Sequence, residues 1–261
     1  MKKWPQCVLL FWLALAVVAP WLGFQPDAID LAHILDAPSL TFLLGADDLG
    51  RDIFARLIAG AGVSLTVAGV VTLVTFTIGT TLGLVAGYHG GWVDRVLMHI
   101  TDVFLAFPGI LLAIAFAAVL GAGVDNLILA LCLTSWVGYA RLTRAQALSL
   151  RGRQHVQAAQ ALGASTPRIL LRHMLPLLAP ALLVEATFSI ASLVVAEAGL
   201  SFLGLGIQPP HASWGAMLRD GARYLLVAPH YVLAVGLSLM SLVLAVNVLG
   251  DTLRDNLDVK R

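Results

Sequence analysis

Residues Arg151–Pro176 read RGRQHVQAAQALGASTPRILLRHMLP. The run His155–Leu162 is rich in alanine and glutamine, which favour a helix. Gly163 supplies the residue that most readily ends one, and Thr166-Pro167 is a start signal for the next. Pro176 is expected to stop that second helix before an apolar run begins at Leu177. From Asn126 to Val184 the chain has no acidic residue, whereas Arg141, Arg144, Arg151, Arg153, Arg168 and Arg172 all fall in this interval. The stretch is therefore a basic helix–turn–helix hung between two apolar segments. A topogenic role explains its charge. It does not explain two well-punctuated helices, which look built to dock something.

The flanking apolar segments set the class. Of 261 residues, 59% are hydrophobic and 12% charged, with a formal net charge of +1. A soluble domain carries about 25% charged residues, so an integral membrane chain is expected. A spanning helix needs about 20 apolar residues. Trp4–Pro26 is uncharged, with an apolar core over Cys7–Phe24, and is read as a retained first span rather than a cleaved signal. Val63–Tyr88 is the second, and Gly79, Gly83 and Gly87 line one of its faces, a pattern for close helix packing. Val103–Val124, with Pro108 near its start, Asn126–Ala140, Leu177–Gly199 and Pro229–Gly250 complete an expected six.

Charge then orients the spans. With a cytoplasmic N-terminus, the inner segments hold Lys2, Lys3, Arg95, Arg141, Arg144, Arg151, Arg153, Arg168, Arg172, Arg254, Lys260 and Arg261, against Arg51, Arg56, Arg219 and Arg223 outside. This bias follows the positive-inside rule and puts both termini in the cytoplasm.

The first outer loop, Gln25–Gly62, is acidic. Within it Asp47–Gly60 is expected to form a short helix, capped by Asp47 or Asp48, with Asp52 and Arg56 paired and Leu49, Ile53 and Leu57 on one face. Such a helix either lies in the membrane interface or meets an external partner. Glu197, near the outer end of the fifth span, either lines a path or bonds a neighbouring helix. Glu185 precedes it by twelve positions, about 120° round and about 18 Å away, so the two form no dyad. Asp102 is expected to cap a span end. Gly199–Pro210 is expected to turn back towards a pore.

Several chemistries are excluded. Lysine occurs only at Lys2, Lys3 and Lys260, and no GxxxxGK[ST] is present, so ATP is not bound by a P-loop. The neutral balance offers nothing to nucleic acid. No two histidines stand at i,i+4, and Cys7 and Cys132 are read as reduced thiols in apolar runs.

Gln157-Ala158-Ala159, Gly163 and Leu175-Pro176 resemble the EAA loop of ATP-binding-cassette importer permeases. Gln157 stands where that family carries glutamate, and His173 where it carries isoleucine. Further stretches resemble the second permease subunit of dipeptide, oligopeptide and nickel importers: Leu44–Asp52, Ala106-Phe107-Pro108, Leu200–Gly206, Gln208-Pro209-Pro210, Ser213-Trp214-Gly215 and Gly250–Asp255. The resemblance implies an all-α membrane protein of the type I ABC importer permease fold, with about six transmembrane helices. It implies residues 1–62 as N-terminal span and periplasmic loop, 63–250 as a five-span core with a cytoplasmic coupling loop over 141–176, and 251–261 as a cytoplasmic tail. Gln157, Ala158, Ala159, Gly163, Arg168, His173, Leu175 and Pro176 would form the ATPase-coupling loop, and Glu197, Ser201 and Phe202 the path or gate.

The loop arginines would meet acidic groups of the ATPase or lipid headgroups. The implied assembly is a heterodimer with a homologous permease, two ATPase subunits holding ATP and magnesium, and a periplasmic solute-binding protein, in a bacterial inner membrane. This chain would bind no cofactor or metal and would not itself be an enzyme. The implied cargo is a di- or oligopeptide or nickel, moved by alternating access. An ion-gradient-driven secondary transporter is the competing class, although no repeat relates the two halves; a non-transporting scaffold is a third.

Overall fold

Backbone groups inside a bilayer must be satisfied within the protein, and a helix achieves this within its own segment. The computed structural model describes residues 3–18, 21 and 23–258. Among them the ordered elements are all helical, with one isolated bridge between Ala46 and Asp52. Besides a short 3-10 turn at Leu31–His33, in chain order they are α1 (Trp4–Val18), α2 (Ile53–His89), α3 (Gly91–Leu105), α4 (Gly109–Leu120), α5 (Val124–Arg151), α6 (Gln154–Ala161), α7 (Thr166–Phe202), α8 (Trp214–Ala222) and α9 (Pro229–Asp258).

Three of these, α2, α7 and α9, are long and apolar enough to cross a membrane, or four spans if the bent pair α3–α4 is one. Six were expected, and the difference has local causes. The expected third span, Val103–Val124, is broken: Ala106-Phe107-Pro108 separates α3 from α4, and the two axes diverge by 83°. Proline removes a helical hydrogen bond and disfavours helix in the residue before it. The 12 residues of α4 then reach only about 18 Å, short of the roughly 30 Å hydrocarbon core. The expected fourth span is the apolar first half of α5, whose second half carries Arg141, Arg144 and Arg151. The first, α1, is 15 residues long; its expected core runs on over Ala19, Pro20 and Leu22, which lie outside the described residues, as do Lys2, Lys260 and Arg261.

The chain forms two compact units. The first comprises the chain to Val70 with Ile114–Ala130 and Ile190–Leu249. Trp214 is fully buried in it, with its indole N–H donating to Leu57 O at 2.9 Å. Trp12 packs edge-on against it at 5.0 Å and donates to Ser241 Oγ at 3.0 Å. Gly215 allows α8 to lie on α7, since a Cβ there would stand 2.1 Å from Ala198 O.

The acidic outer loop belongs to this unit and corrects the expected helix over Asp47–Gly60. Helix begins only at Ile53, where Asp52 is the cap, its Oδ1 accepting from Phe54 N–H at 2.9 Å. Asp47 instead turns inward. It is fully buried, accepts the N–H groups of Leu49 and Arg51 at 2.9 Å and takes Arg51 Nε at 2.7 Å. Arg56 does not pair with Asp52; it stands 3.4 Å from Asp47 and 3.1 Å from Asp27. The turn needs Gly50, at φ +71°, because a Cβ there would stand 1.7 Å from Asp30 O. Burial pushes the Asp48 and Asp52 carboxyls above the usual range.

The second unit comprises Val71–Ala113, Leu131–Ser189 and the chain from Gly250. Here the glycine face of α2 packs closely against another helix as expected, and that helix is α5. A Cβ at Gly79 would stand 2.4 Å from Trp136 O, at Gly83 2.3 Å from Ala140 O, and at Gly87 2.6 Å from Ala147 Cβ. Backbone thus touches backbone, the use small residues have in membrane helices. Arg144 on α5 grips Asp94 on α3 with both Nε and Nη2, the latter at 2.7 Å. Asp102 lies within α3, where its carbonyl accepts from Ala106 N–H, and it caps no helix start.

Candidate functional site

Arg151–Pro176 lies wholly within the described residues. Arg151-Gly152-Arg153 links α5 to α6, and the Arg153 carbonyl accepts the first helical bonds from Val156 and Gln157 at 3.0 and 3.1 Å. The end of α6 is a Schellman closure: Gly163 N–H donates to Gln160 O at 2.9 Å and Ala164 N–H to Ala159 O at 3.0 Å. Gly163 sits at φ +76° with nothing within 4 Å of a Cβ there. Glycine is required for its conformation and not for space.

Pro176 does not stop the second loop helix, against expectation. α7 runs from Thr166 through Pro176 to Phe202. Residues Ile169–Met174 are wound as a π-helix, and Leu175 N–H reaches back to Leu170 O. The wider turn accommodates a proline, which has no N–H to offer and crowds the carbonyl one turn back.

Burial sorts the loop residues into two sets. Val156 and Ala159, three apart, face a core shared with Ile169, Met174, Leu178 and Leu182. Gln157, Ala158, Gly163, Arg168 and Pro176 are exposed, while His173 and Leu175 are half-buried. Leu162, at the tip of the turn, is 88% exposed. Gln160 donates to the Tyr88 hydroxyl at 3.1 Å, tying α6 to the end of α2. α6 is thus held from behind and bare in front. An apolar, small-residue surface flanked by Arg151, Arg153 and Arg168 can seat a partner's groove. It holds no nucleophile–base pair.

In the first unit, Glu197 and Ser201 come together and Phe202 stands apart. Glu197 is fully buried; Ser64 Oγ donates to it at 2.6 Å and Ser201 Oγ at 2.8 Å. Gly206 and Gly215 press on Ser201, a Cβ at either falling within 2.7 Å of its side chain. Phe202 is 43% exposed. Of the two alternatives open for Glu197, this geometry makes the bond to a neighbouring helix. Glu185 belongs to the other unit.

The inward turn of Asp47 and the Asp94–Arg144 clamp are not among the features expected from the sequence. The alternation of opposite charges in Asp47-Asp48-Leu49-Gly50-Arg51-Asp52 was a usable signal for the first. Nothing local marks a pair fifty residues apart. Among the described residues, no group of three or more His, Cys, Asp or Glu is placed to hold a metal ion.

Residues 79–260, which include the whole loop, match the family described as binding-protein-dependent transport system inner membrane component. The chain belongs to that family. Its relatives in this family include the glutathione transport system permease protein GsiD of Pectobacterium atrosepticum, 42% identical over 256 residues, 96% of this chain and 85% of the relative. GsiD of Escherichia coli O6:K15:H31 is 43% identical over 250 residues, covering 95% and 82%. The fold is similar to a chain of the MetNI methionine ABC transporter in an inward-facing crystal form, with a TM-score of 0.64 and 20% identity over 78% of this chain and 97% of that one.

The binding-protein-dependent component is thus a multi-pass permease subunit of an ABC importer in a bacterial inner membrane, with the type I fold. Membership brings with it a solute-binding protein and ATPase subunits as partners, and ATP hydrolysis belongs to the latter. It leaves the ion-gradient-driven alternative without support.

Proposed function

We infer that this permease carries small peptides of the glutathione class inward by ATP-driven alternating access. Its loop over 141–176 would seat on a partner ATPase through Gln157, Ala158, Leu162 and Gly163. The observation that supports the coupling role is the one-sided burial of α6: Val156 and Ala159 anchored, Ala158 and the adjoining Leu162 bare. An anchored helix transmits a push without deforming. Arg168, the π-wound stretch Ile169–Met174 with His173, and the following Leu175 and Pro176 form the first turns of α7 and then pass that push along it. With glutamine at 157, the contact relies on fit and hydrogen bonding rather than on a salt bridge. The cargo reading is supported by the similarity to glutathione transport system permeases at 42% and 43% identity.

The division into 1–62, 63–250 and a tail at 251–261 follows from the same reading, as do a heterodimer with a homologous permease, two ATPase subunits bearing ATP and magnesium, and cytoplasmic termini. Of the residues proposed for the path or gate, exposed Phe202 faces it, while Glu197 and Ser201 fix the end of α7 behind. Proteoliposomes holding the heterodimer, the ATPases and the binding protein test the cargo. Labelled glutathione should accumulate only with ATP on the ATPase side. ATPase stimulation by another solute, with no glutathione uptake, overturns the cargo assignment. Protease protection of a C-terminal tag in oriented vesicles checks the topology.

A further inference from the structure

One cavity of the second unit, about 440 Å³, is lined by α5, α7 and α9 and takes no residue of Arg151–Pro176 and none of the Glu197 cluster. Its walls include the apolar side chains of Leu142, Pro180 and Phe188, and it has two charged poles, Glu185 on α7 and Arg254 on α9, with the Gln146 amide on α5. Both poles are without a hydrogen bond or ion pair among the described residues, and none joins them to each other. A half-buried, unpaired carboxylate on a membrane helix is costly and marks a site in need of a partner. Gly138 leaves room beside it, for a Cβ there would already touch Glu185 Oε1 at 3.5 Å. The volume lies in the range of small-molecule sites, which pair apolar walls with a few placed polar groups.

We propose that this cavity binds a small zwitterion, its ammonium group on Glu185 and its carboxylate on Arg254, with the Gln146 amide bonding between them. A cation alone or an anion alone leaves the opposite pole unpaired, so the site selects molecules carrying both charges. Free peptides and phosphatidylethanolamine headgroups share this chemistry of an ammonium group beside an anion. The proposal rests on the peptide-class reading only for its choice of probes.

The complete transporter, purified with its partner subunits into phosphatidylglycerol nanodiscs, is titrated with glycylglycine and reduced glutathione, without ATP or binding protein. Saturable binding is expected, weakened at least about tenfold for N-acetyl-glycylglycine and for glycylglycine amide, since each loses one charge-assisted bond. Glu185→Gln should abolish the preference for the free amine and Arg254→Gln that for the free carboxylate. The blocked probes on the unaltered transporter keep the test alive if a variant fails to assemble. If phosphatidylethanolamine nanodiscs suppress glycylglycine binding and Glu185→Gln relieves the suppression, the headgroup is a second source of the same ligand chemistry.

Absence of binding to the unaltered transporter overturns the proposal, as do variants that keep both preferences. The cargo reading fails separately. Glutathione uptake with unchanged preferences removes the cavity site alone; switched preferences without glutathione uptake remove the cargo alone.

Discussion

The outer Asp47 loop and the α6 loop are both charged excursions from an apolar chain, and they handle exposure in opposite ways. Asp47, Arg51 and Arg56 are at most 6% exposed and satisfy one another within the chain. The α6 loop leaves its arginines and Leu162 in the open. One loop is closed on itself; the other is completed by something else. Charge alone does not distinguish them, because the difference lies in whether an opposite charge is within reach of the same turn.

Substitutions should separate the two kinds of loop. The largest effect is expected from Asp47→Ala, which strands two buried guanidinium groups and two backbone donors. Breaking a buried pair of this kind costs about 3–5 kcal/mol, read as a lowered thermal unfolding midpoint of the detergent-solubilised chain. An unchanged midpoint would show the loop to be less closed than drawn. Gly163→Val should do the reverse. With open space around it, the penalty is torsional, about 1–2 kcal/mol, so insertion and chain stability persist while transport falls more than tenfold. Normal uptake with ATPase subunits still co-purifying would remove the loop from the coupling path.

A third substitution probes a closed polar contact inside the bundle. Ser64→Ala removes one of two hydroxyl donors to buried Glu197 and should cost about 1–3 kcal/mol, with Glu197→Gln recovering part of it in the double variant. Additive losses would mean that the serine and the glutamate do not interact. The smallest effect is electrostatic and lies on the exposed side of the outer loop. The Asp36 carboxylate, hydrogen-bonded at 2.7 Å, raises the His33 pKa above its ordinary 6.5, with Asp30 adding to the pull. A raised histidine contributes its pairing below the ordinary value and loses it as pH climbs through the folded one. Histidine-detected NMR should show the Asp36→Asn variant titrating lower; an identical curve would dissolve the pair.

Legibility in the sequence followed the range of the cause. Apolar runs located α2, α7 and α9, and the four-residue glycine spacing marked the face of α2 that packs closely, because both signals are written along one helix. Gly163 ended α6 and Thr166-Pro167 began α7 for the same reason. The break at Ala106–Pro108 was harder, since one proline leaves the flanking run just as apolar. Pro176 carries a helix-stop signal in sequence, but the π-wound turn before it absorbs the proline and the helix continues. For the candidate site, the exposed loop positions were legible as a motif, but their sorting into anchor and face depends on Ile169 and Met174 folding back beneath α6. Asp47 and the Asp94–Arg144 clamp depend on which side chain meets which, and hydropathy does not record that.

The seam between α2 and α5 has a mechanical consequence. Helices that interlock side chains move in steps, because each knob must leave its hole before the next position is reached. At Gly79, Gly83 and Gly87 α2 offers no knobs, only backbone lying on the carbonyls of Trp136 and Ala140 and the methyl of Ala147. Such a surface opposes separation but presents no ratchet to a small slide or roll, so it works as a bearing. Its clearance is less than one methyl group, and a single added carbon at Gly83 would prise the bearing apart rather than stiffen it.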